Sequence, residues 1–186
     1  MDQRNHFESG SVIWNLQNTG KYDAIREVIR NTPVFRSLER FDIGTFEEKV
    51  LARERLQSTG FGHGVAVAHG RTDDVDGAHI ALGVSRDGIE FDSVDGKPVH
   101  LLFVVATNPA MPMDYLRILS TLVGLVRNEG FRNDLMSCAC REDIEQKLCD
   151  AFASVLSGMT GEPTDRGAAA AVTSQQNGRR QDFALA

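Results

Sequence analysis

Long apolar runs are missing from this chain. The longest clean one, Leu101 to Ala106, is strand-sized and far short of the roughly 20 residues that a membrane-spanning helix needs. Basic excess is missing too: 20 Lys and Arg stand against 26 Asp and Glu, for a net charge of −6. An acidic chain without a basic cluster is poorly matched to a phosphate backbone, so nucleic acid is not an expected partner, and any phosphate chemistry must rest on a few placed groups. Cysteine is scarce. Cys138, Cys140 and Cys149 are an odd set, and Cys138-Ala-Cys140 lacks the spacing of a zinc knuckle, so neither a disulfide framework nor a metal site is expected. The opening Met1-Asp-Gln-Arg-Asn-His6 is too polar for the core of a secretory leader, which points to the cytoplasm, where thiols stay reduced.

What remains is ordinary for a globular domain: 41% hydrophobic and 25% charged residues in 186. That length fits one domain at roughly 100–200 residues each. Residues 1–11 read as a flexible polar lead-in and 12–157 as the domain. From Gly158 to Ala186 the only large apolar side chains are Met159, Val172, Phe183 and Leu185. Such a segment buries too little surface to offset its ordering entropy and reads as a disordered tail.

Between the ends, helical and extended patterns alternate. Tyr22, Ile25 and Ile29 fall at helical spacing, and Asn31-Thr-Pro33 closes that helix. Thr45-Phe-Glu-Glu48 has the form of a capping box and opens a second helix through Val50, Leu51 and Arg53 to about Leu56. Val65 to Ala68, Ile80 to Val84 and Leu101 to Ala106 read as short buried strands. Asp87-Gly88 and Asp95-Gly96 are turn signals that suggest a hairpin-like excursion. Asp114 is expected to cap a helix whose apolar face holds Leu116, Leu119, Leu122, Val123 and Val126, and a last helix aligns Ile144, Leu148, Phe152, Val155 and Leu156. The pattern predicts a layered α/β domain with a mostly buried sheet.

Of the five histidines, His69 has the most suggestive setting. It closes an apolar strand ahead of Gly70-Arg71-Thr72, and a strand end projects a side chain from a rigid support into a crevice. A neutral imidazole there is a competent nucleophile or base near pH 7. His63 is six residues away. A straight segment at about 3.3 Å per residue holds the two roughly 20 Å apart, whereas a bend at Gly62 or Gly64 brings them together. Gly60-Phe-Gly-His-Gly64 follows a helix and opens a strand, the reverse of the nucleotide-binding fingerprints. Its glycines either present amides to a phosphoryl group or simply make a tight turn. Arg53 precedes this turn and either offers its donor fork to phosphoryl oxygens or lies on a solvated face.

Taken together, Val50-Leu-Ala-Arg-Glu-Arg-Leu-Gln-Ser-Thr-Gly-Phe-Gly-His-Gly-Val-Ala-Val-Ala-His-Gly70 resembles the signature of fructose/mannitol-type (type 2) IIA domains of the phosphoenolpyruvate:sugar phosphotransferase system, and most of all the stand-alone nitrogen-regulatory IIA proteins. The likeness continues through Ile89 to Val105 and covers about 12–157. It implies a single domain with a mixed sheet of about five strands flanked by helices. It implies that His69 takes a phosphoryl group from an HPr-like histidine carrier, with Arg53, Ser58, Thr59, Gly62, His63 and Tyr115 as phosphoryl-binding or supporting residues. It implies no metal or organic cofactor, and regulatory target proteins such as a kinase or transporter as further partners. His63 falls where members carry a side chain close to the acceptor, which favours the bent segment. The chain departs from the pattern twice: Ala68 replaces the usual Pro before the acceptor, and Tyr115-Leu116 replaces a His-Leu pair. Tyrosine, with a pKa of about 10, is no cation near pH 7, which leaves onward transfer open. A different class of function, a binding module working by protein contacts without phosphotransfer, stands as the alternative.

Overall fold

The computed structural model describes residues 10–159. The expectations of a flexible lead-in and a disordered tail fall on 1–9 and 160–186 for the most part, outside the described residues. Within them the elements run β1 (Val12–Ile13), α1 (Lys21–Asn31), α2 (Pro33–Arg36), α3 (Ile43–Leu56), β2 (Gly60–Gly62), β3 (Val65–Arg71), β4 (Ala78–Ile89), β5 (Val99–Thr107), α4 (Pro112–Arg127), α5 (Glu129–Ser137) and α6 (Arg141–Met159). The five strands form one sheet in the order β1-β4-β5-β3-β2. β3 and β5 are parallel, as are β1 and β4, while β4–β5 and β2–β3 are antiparallel, so the sheet is mixed as expected.

Side-chain alternation divides the core into two layers. On one face Ala66, Ala68, Ala81, Leu102, Val104 and Ala106 pack under α1, α2 and α3, with Phe35, Phe41 and Phe46 in mutual ring contact there. On the other face Val65, Val67, Ile80, Leu82, Leu101, Phe103 and Val105 meet Ile118, Leu122, Val126, Ile144, Leu148 and Phe152 of α4 and α6. The central strands are buried on both sides, which is why they read as continuous apolar runs.

Several boundaries differ from the sequence expectation. α3 begins at Ile43, because Asp42 is its N-cap, accepting from the Thr45 amide at 3.0 Å and the Thr45 hydroxyl at 2.8 Å. Thr45 therefore spends its proton on Asp42 and is not the cap. α4 begins at Pro112 with Met111 at the N-cap position, so Asp114 lies inside the first turn. Its buried stripe is Ile118, Thr121, Leu122 and Val126, leaving Leu116 57% exposed. Asp87-Gly88 does not turn the chain: β4 continues to Ile89 across an irregular register, and the connection to β5 holds Asp95-Gly96. No described helix is long and apolar enough to cross a membrane.

Candidate functional site

β3 carries the site. It pairs along its whole length with β5, but on its other side β2 reaches only Val65 and Ala66, with one more bond from the Val67 amide to the Thr59 carbonyl. Past Val67 no described strand covers that edge. The strand runs on through His69 and Gly70 to Arg71, so His69 lies within it and not at its end.

His69 is half-buried on the α4 face. Its Nδ1 lies 3.1 Å from the Val67 carbonyl oxygen. A carbonyl only accepts, so Nδ1 carries the proton and Nε2 keeps its lone pair. Burial is the main influence holding the imidazole below its ordinary pKa; the Val67 bond opposes it, Arg53 and Arg71 push the same way as burial, and Glu54 opposes. The ring is thus neutral near pH 7, with one nucleophilic nitrogen. The Tyr115 ring, from the first turn of α4, packs beside it at 5.8 Å between centroids, and the Arg71 guanidinium lies over the Tyr115 ring at 5.1 Å. Tyr115 and His69 are thus neighbours.

Arg53 sits on the last turns of α3, one turn past Val50, which presses against Gly70. Its charge acts on His69, and its Nη1 donates to the Gln57 carbonyl at 3.0 Å, which holds the side chain at the helix end. Among the described residues its other donors have no partner and can meet an anion. The two hydroxyl residues are bound into the protein. Ser58 donates to the Phe91 carbonyl at 3.0 Å, and Thr59 donates to the buried Glu54 carboxylate at 2.5 Å. Each hydroxyl has one proton, so neither can donate to a phosphoryl oxygen without first breaking these bonds. Their part is to shape the approach to β2.

Gly62 and His63 lie at the other end of β3. Gly62, His63 and Gly64 all have positive φ (94°, 56° and 75°), which turns the chain tightly from β2 into β3. The Asp95 carboxylate accepts from the His63 amide at 2.9 Å, and its hydrogen bonds from the His63 and Lys97 amides hold its pKa below the ordinary carboxylate value. The expected bend is there, but it precedes the strand. Extended backbone from Val65 to His69 then spans roughly 13 Å at about 3.3 Å per residue, so the exposed His63 does not share the site. Among the described residues no group of three His, Cys, Asp or Glu could hold a metal.

Two participants escape the sequence reading. Arg71 looks like a loop residue after Gly70, yet counting in twos from Val65 through Val67 and His69 places it on the same face. Glu54, in the polar run Ala52-Arg-Glu-Arg55, is 2% exposed and holds the Thr59 amide at 3.0 Å and Lys21 Nζ at 3.0 Å. No periodic pattern marks it: Thr59 lies five residues on, past the helix end, and Lys21 comes from α1.

Known proteins resemble the chain in sequence and fold. The family model described as "Phosphoenolpyruvate-dependent sugar phosphotransferase system, EIIA 2" matches residues 5–150. The chain is 34% identical over 131 residues to the nitrogen regulatory protein of Pseudomonas aeruginosa, covering 70% of this chain and 84% of that protein. It is 32% identical over 134 residues to the fructose-specific EIIABC component of Bacillus subtilis, covering 72% of this chain; the match spans about a fifth (21%) of that longer relative. Among solved structures it is similar to the nitrogen regulatory protein IIA-Ntr of Neisseria meningitidis, with a TM-score of 0.68, 29% identity, and coverage of 75% of this chain and 93% of that one.

Proposed function

The chain belongs to the EIIA 2 family of the phosphoenolpyruvate-dependent sugar phosphotransferase system, and from that premise we propose that it is a regulatory phosphocarrier whose phosphoryl acceptor is His69. The observation that carries this reading is the Nδ1 bond to the Val67 carbonyl, which fixes the tautomer and leaves Nε2 as the nucleophile. Nε2 attacks the phosphorus of a donor phosphohistidine on an HPr-like carrier in line with the leaving nitrogen. Arg53 neutralises charge on the equatorial oxygens. His69 keeps its Nδ1 proton throughout, and the Val67 carbonyl stabilises the cationic ring of the product. A regulatory role, rather than a step in sugar uptake, is supported by the likeness to the nitrogen regulatory protein of P. aeruginosa, at 34% identity over 131 residues. The output would be read by target proteins that distinguish the two phosphorylation states, in the cytoplasm where such carriers work.

The test is to incubate the protein with phosphoenolpyruvate, the general phosphotransferase enzyme and an HPr-like carrier, then to measure its mass. An acid-labile phosphoryl adduct is expected on wild type and His63→Ala and absent from His69→Ala. An adduct that persists in His69→Ala would overturn the assignment. A second reading, a module acting by contact without phosphate, is favoured by the tied-up Ser58 and Thr59 hydroxyls. Failure of the wild-type protein to take any phosphate would select it.

A further inference from the structure

Tyr115 brings an aromatic ring to His69 but no group that can carry positive charge. A charge lies against the same ring: the Arg71 guanidinium, 5.1 Å from its centroid. We propose that Arg71, stacked on Tyr115, is a second catalytic cation that binds the phosphoryl group in transit at His69, and that Tyr115 is the platform holding it in place.

Three observations carry this. First, His69 and Arg71 are two residues apart on one strand and both contact the same Tyr115 ring, so their side chains share the α4 face. Second, among the described residues the Arg71 guanidinium makes no hydrogen bond or ion pair. By contrast Arg26 and Arg30 are spent on Glu47, and Arg132 on the Val126 and Arg127 carbonyls. An arginine held by a ring face keeps its in-plane donors free for oxygen ligands, whereas one bound to a carboxylate does not. Third, Arg71 is exposed, and its charge already acts on the His69 imidazole. Tyr115 also lies in the first turn of α4, so the positive end of that helix is on the same side. A group arriving from a donor protein therefore meets Arg53 from α3 and Arg71 from β3, two cations from different elements.

In the transfer the donor P–N bond breaks, its electron pair returning to the donor ring nitrogen, while the His69 Nε2 lone pair forms the new P–N bond. No proton crosses. Arg71 contributes only charge and hydrogen bonds to the equatorial oxygens as they pass.

This inference rests on His69 being the acceptor, and the experiment separates the two. Single-turnover transfer from a phosphorylated HPr-like donor is measured for wild type, Arg71→Gln, Arg71→Lys, Tyr115→Phe and Tyr115→Leu, with donor varied to saturation. Arg71→Gln should slow the saturated step roughly tenfold to a hundredfold, below the loss of a fully buried oxyanion donor. Arg71→Lys should fall between, since it keeps charge but loses the fork and the flat stacking surface. Tyr115→Phe keeps the ring and should stay within about threefold of wild type, whereas Tyr115→Leu should lose rate as Arg71→Gln does. The His69 pKa, followed by ring NMR signals, should rise in Arg71→Gln, a change that a purely structural role would not produce. Saturated rates for Arg71→Gln within about twofold of wild type would overturn the role of Arg71, as would a deficit cured by more donor. A wild-type protein that takes no phosphate at His69 would instead remove the reading beneath it, whatever the Arg71 variants do.

Discussion

Two histidines sit along the path of β3, His63 between two glycines in the turn before it and His69 ahead of Gly70 towards its far end, and their surroundings are built on opposite plans. At the His63 end the backbone is tied down: three successive positive φ values, Asp95 capping the His63 amide, and the Gly64 carbonyl accepting from the His100 and Leu101 amides at 2.8 and 3.0 Å. The His63 side chain is left in solvent. At the His69 end the backbone has an uncovered edge, and the side chains are the organised part, in the order His69, Tyr115, Arg71. On the proposed reading, chemistry goes with an oriented ring, fixed by one carbonyl and flanked by two arginines, and not with the glycine-rich motif that draws the eye in the sequence. Glycines at the first end shape the chain. At the second, Gly70 is needed for a different reason: α3 passes so close that a Cβ would lie 2.8 Å from Val50 and 2.9 Å from Phe46.

That contrast can be broken first at Glu54, the buried carboxylate that roots the tied-down end by holding Thr59 and Lys21. Glu54→Ala leaves a Thr59 amide, a Thr59 hydroxyl and a mostly buried ammonium without their partner, which should cost about 3 kcal/mol of stability. Glu54→Gln keeps an acceptor and should cost about half as much. Denaturant titration measures both, and equal stabilities for wild type and Glu54→Ala would mean that Lys21 and Thr59 find water as easily as the carboxylate. A sharper comparison sets Gly70→Ala against Gly64→Ala. The first overpacks α3 at a cost of about 1–3 kcal/mol. The second forces alanine into a positive φ of 75°, with its Cβ only touching His100 at 3.4 Å, and costs about 1–2 kcal/mol. Stability losses should be similar, but only Gly70→Ala should slow phosphoryl transfer, because it displaces the helix that carries Arg53. Equal transfer rates in the two variants would show that Arg53 does not depend on the seating of α3.

The sheet and its helices were legible because burial on both faces writes apolar runs at β3, β4 and β5, and one-sided burial writes the stripes of α1 and α6. His69 stood out by its place on an apolar strand and Tyr115 only through the family likeness; the structure sets their rings side by side. The short elements were not: β1 and β2 hold two and three residues, too few for any period, and exist only through their pairing with β4 and β3. α5 buries Leu135 alone among its residues, so no stripe announces it. Asp42 lost to Thr45 as a cap because Thr45-Phe-Glu-Glu48 imitates a capping box, and only the three-dimensional hydrogen bonds decide between them. Ser58 and Thr59 illustrate the same limit, since a hydroxyl in a motif reads as a ligand until its proton is traced to Phe91 or Glu54.

The smallest expected effect is on stability, through the proton that His69 does not take up. Burial first, and then the Arg53 and Arg71 charges, hold its folded-state pKa below the value of about 6.5 that the unfolded chain has. Between those two values the unfolded state binds more protons than the folded one, so stability must rise with pH there. The contribution is fully present above about pH 6.5 and is lost as pH falls through the lower, folded-state pKa. A direct comparison is wild type against His69→Gln, each unfolded in denaturant at a series of pH values on both sides of about 6.5. His79, His100 and every carboxylate are common to both proteins, so their titrations cancel in the difference and only that of His69 remains. Above the midpoint the difference should be flat; below it, wild type should weaken relative to the variant until the folded imidazole is itself protonated. His63→Gln supplies the control from the other end of the strand, where an exposed ring faces neither arginine and the backbone amide, not the imidazole, makes the contact with Asp95. Parallel curves for wild type and His69→Gln across the whole range would mean that the site does not press on the imidazole at all, and the neutral nucleophile at Nε2 would then need another cause.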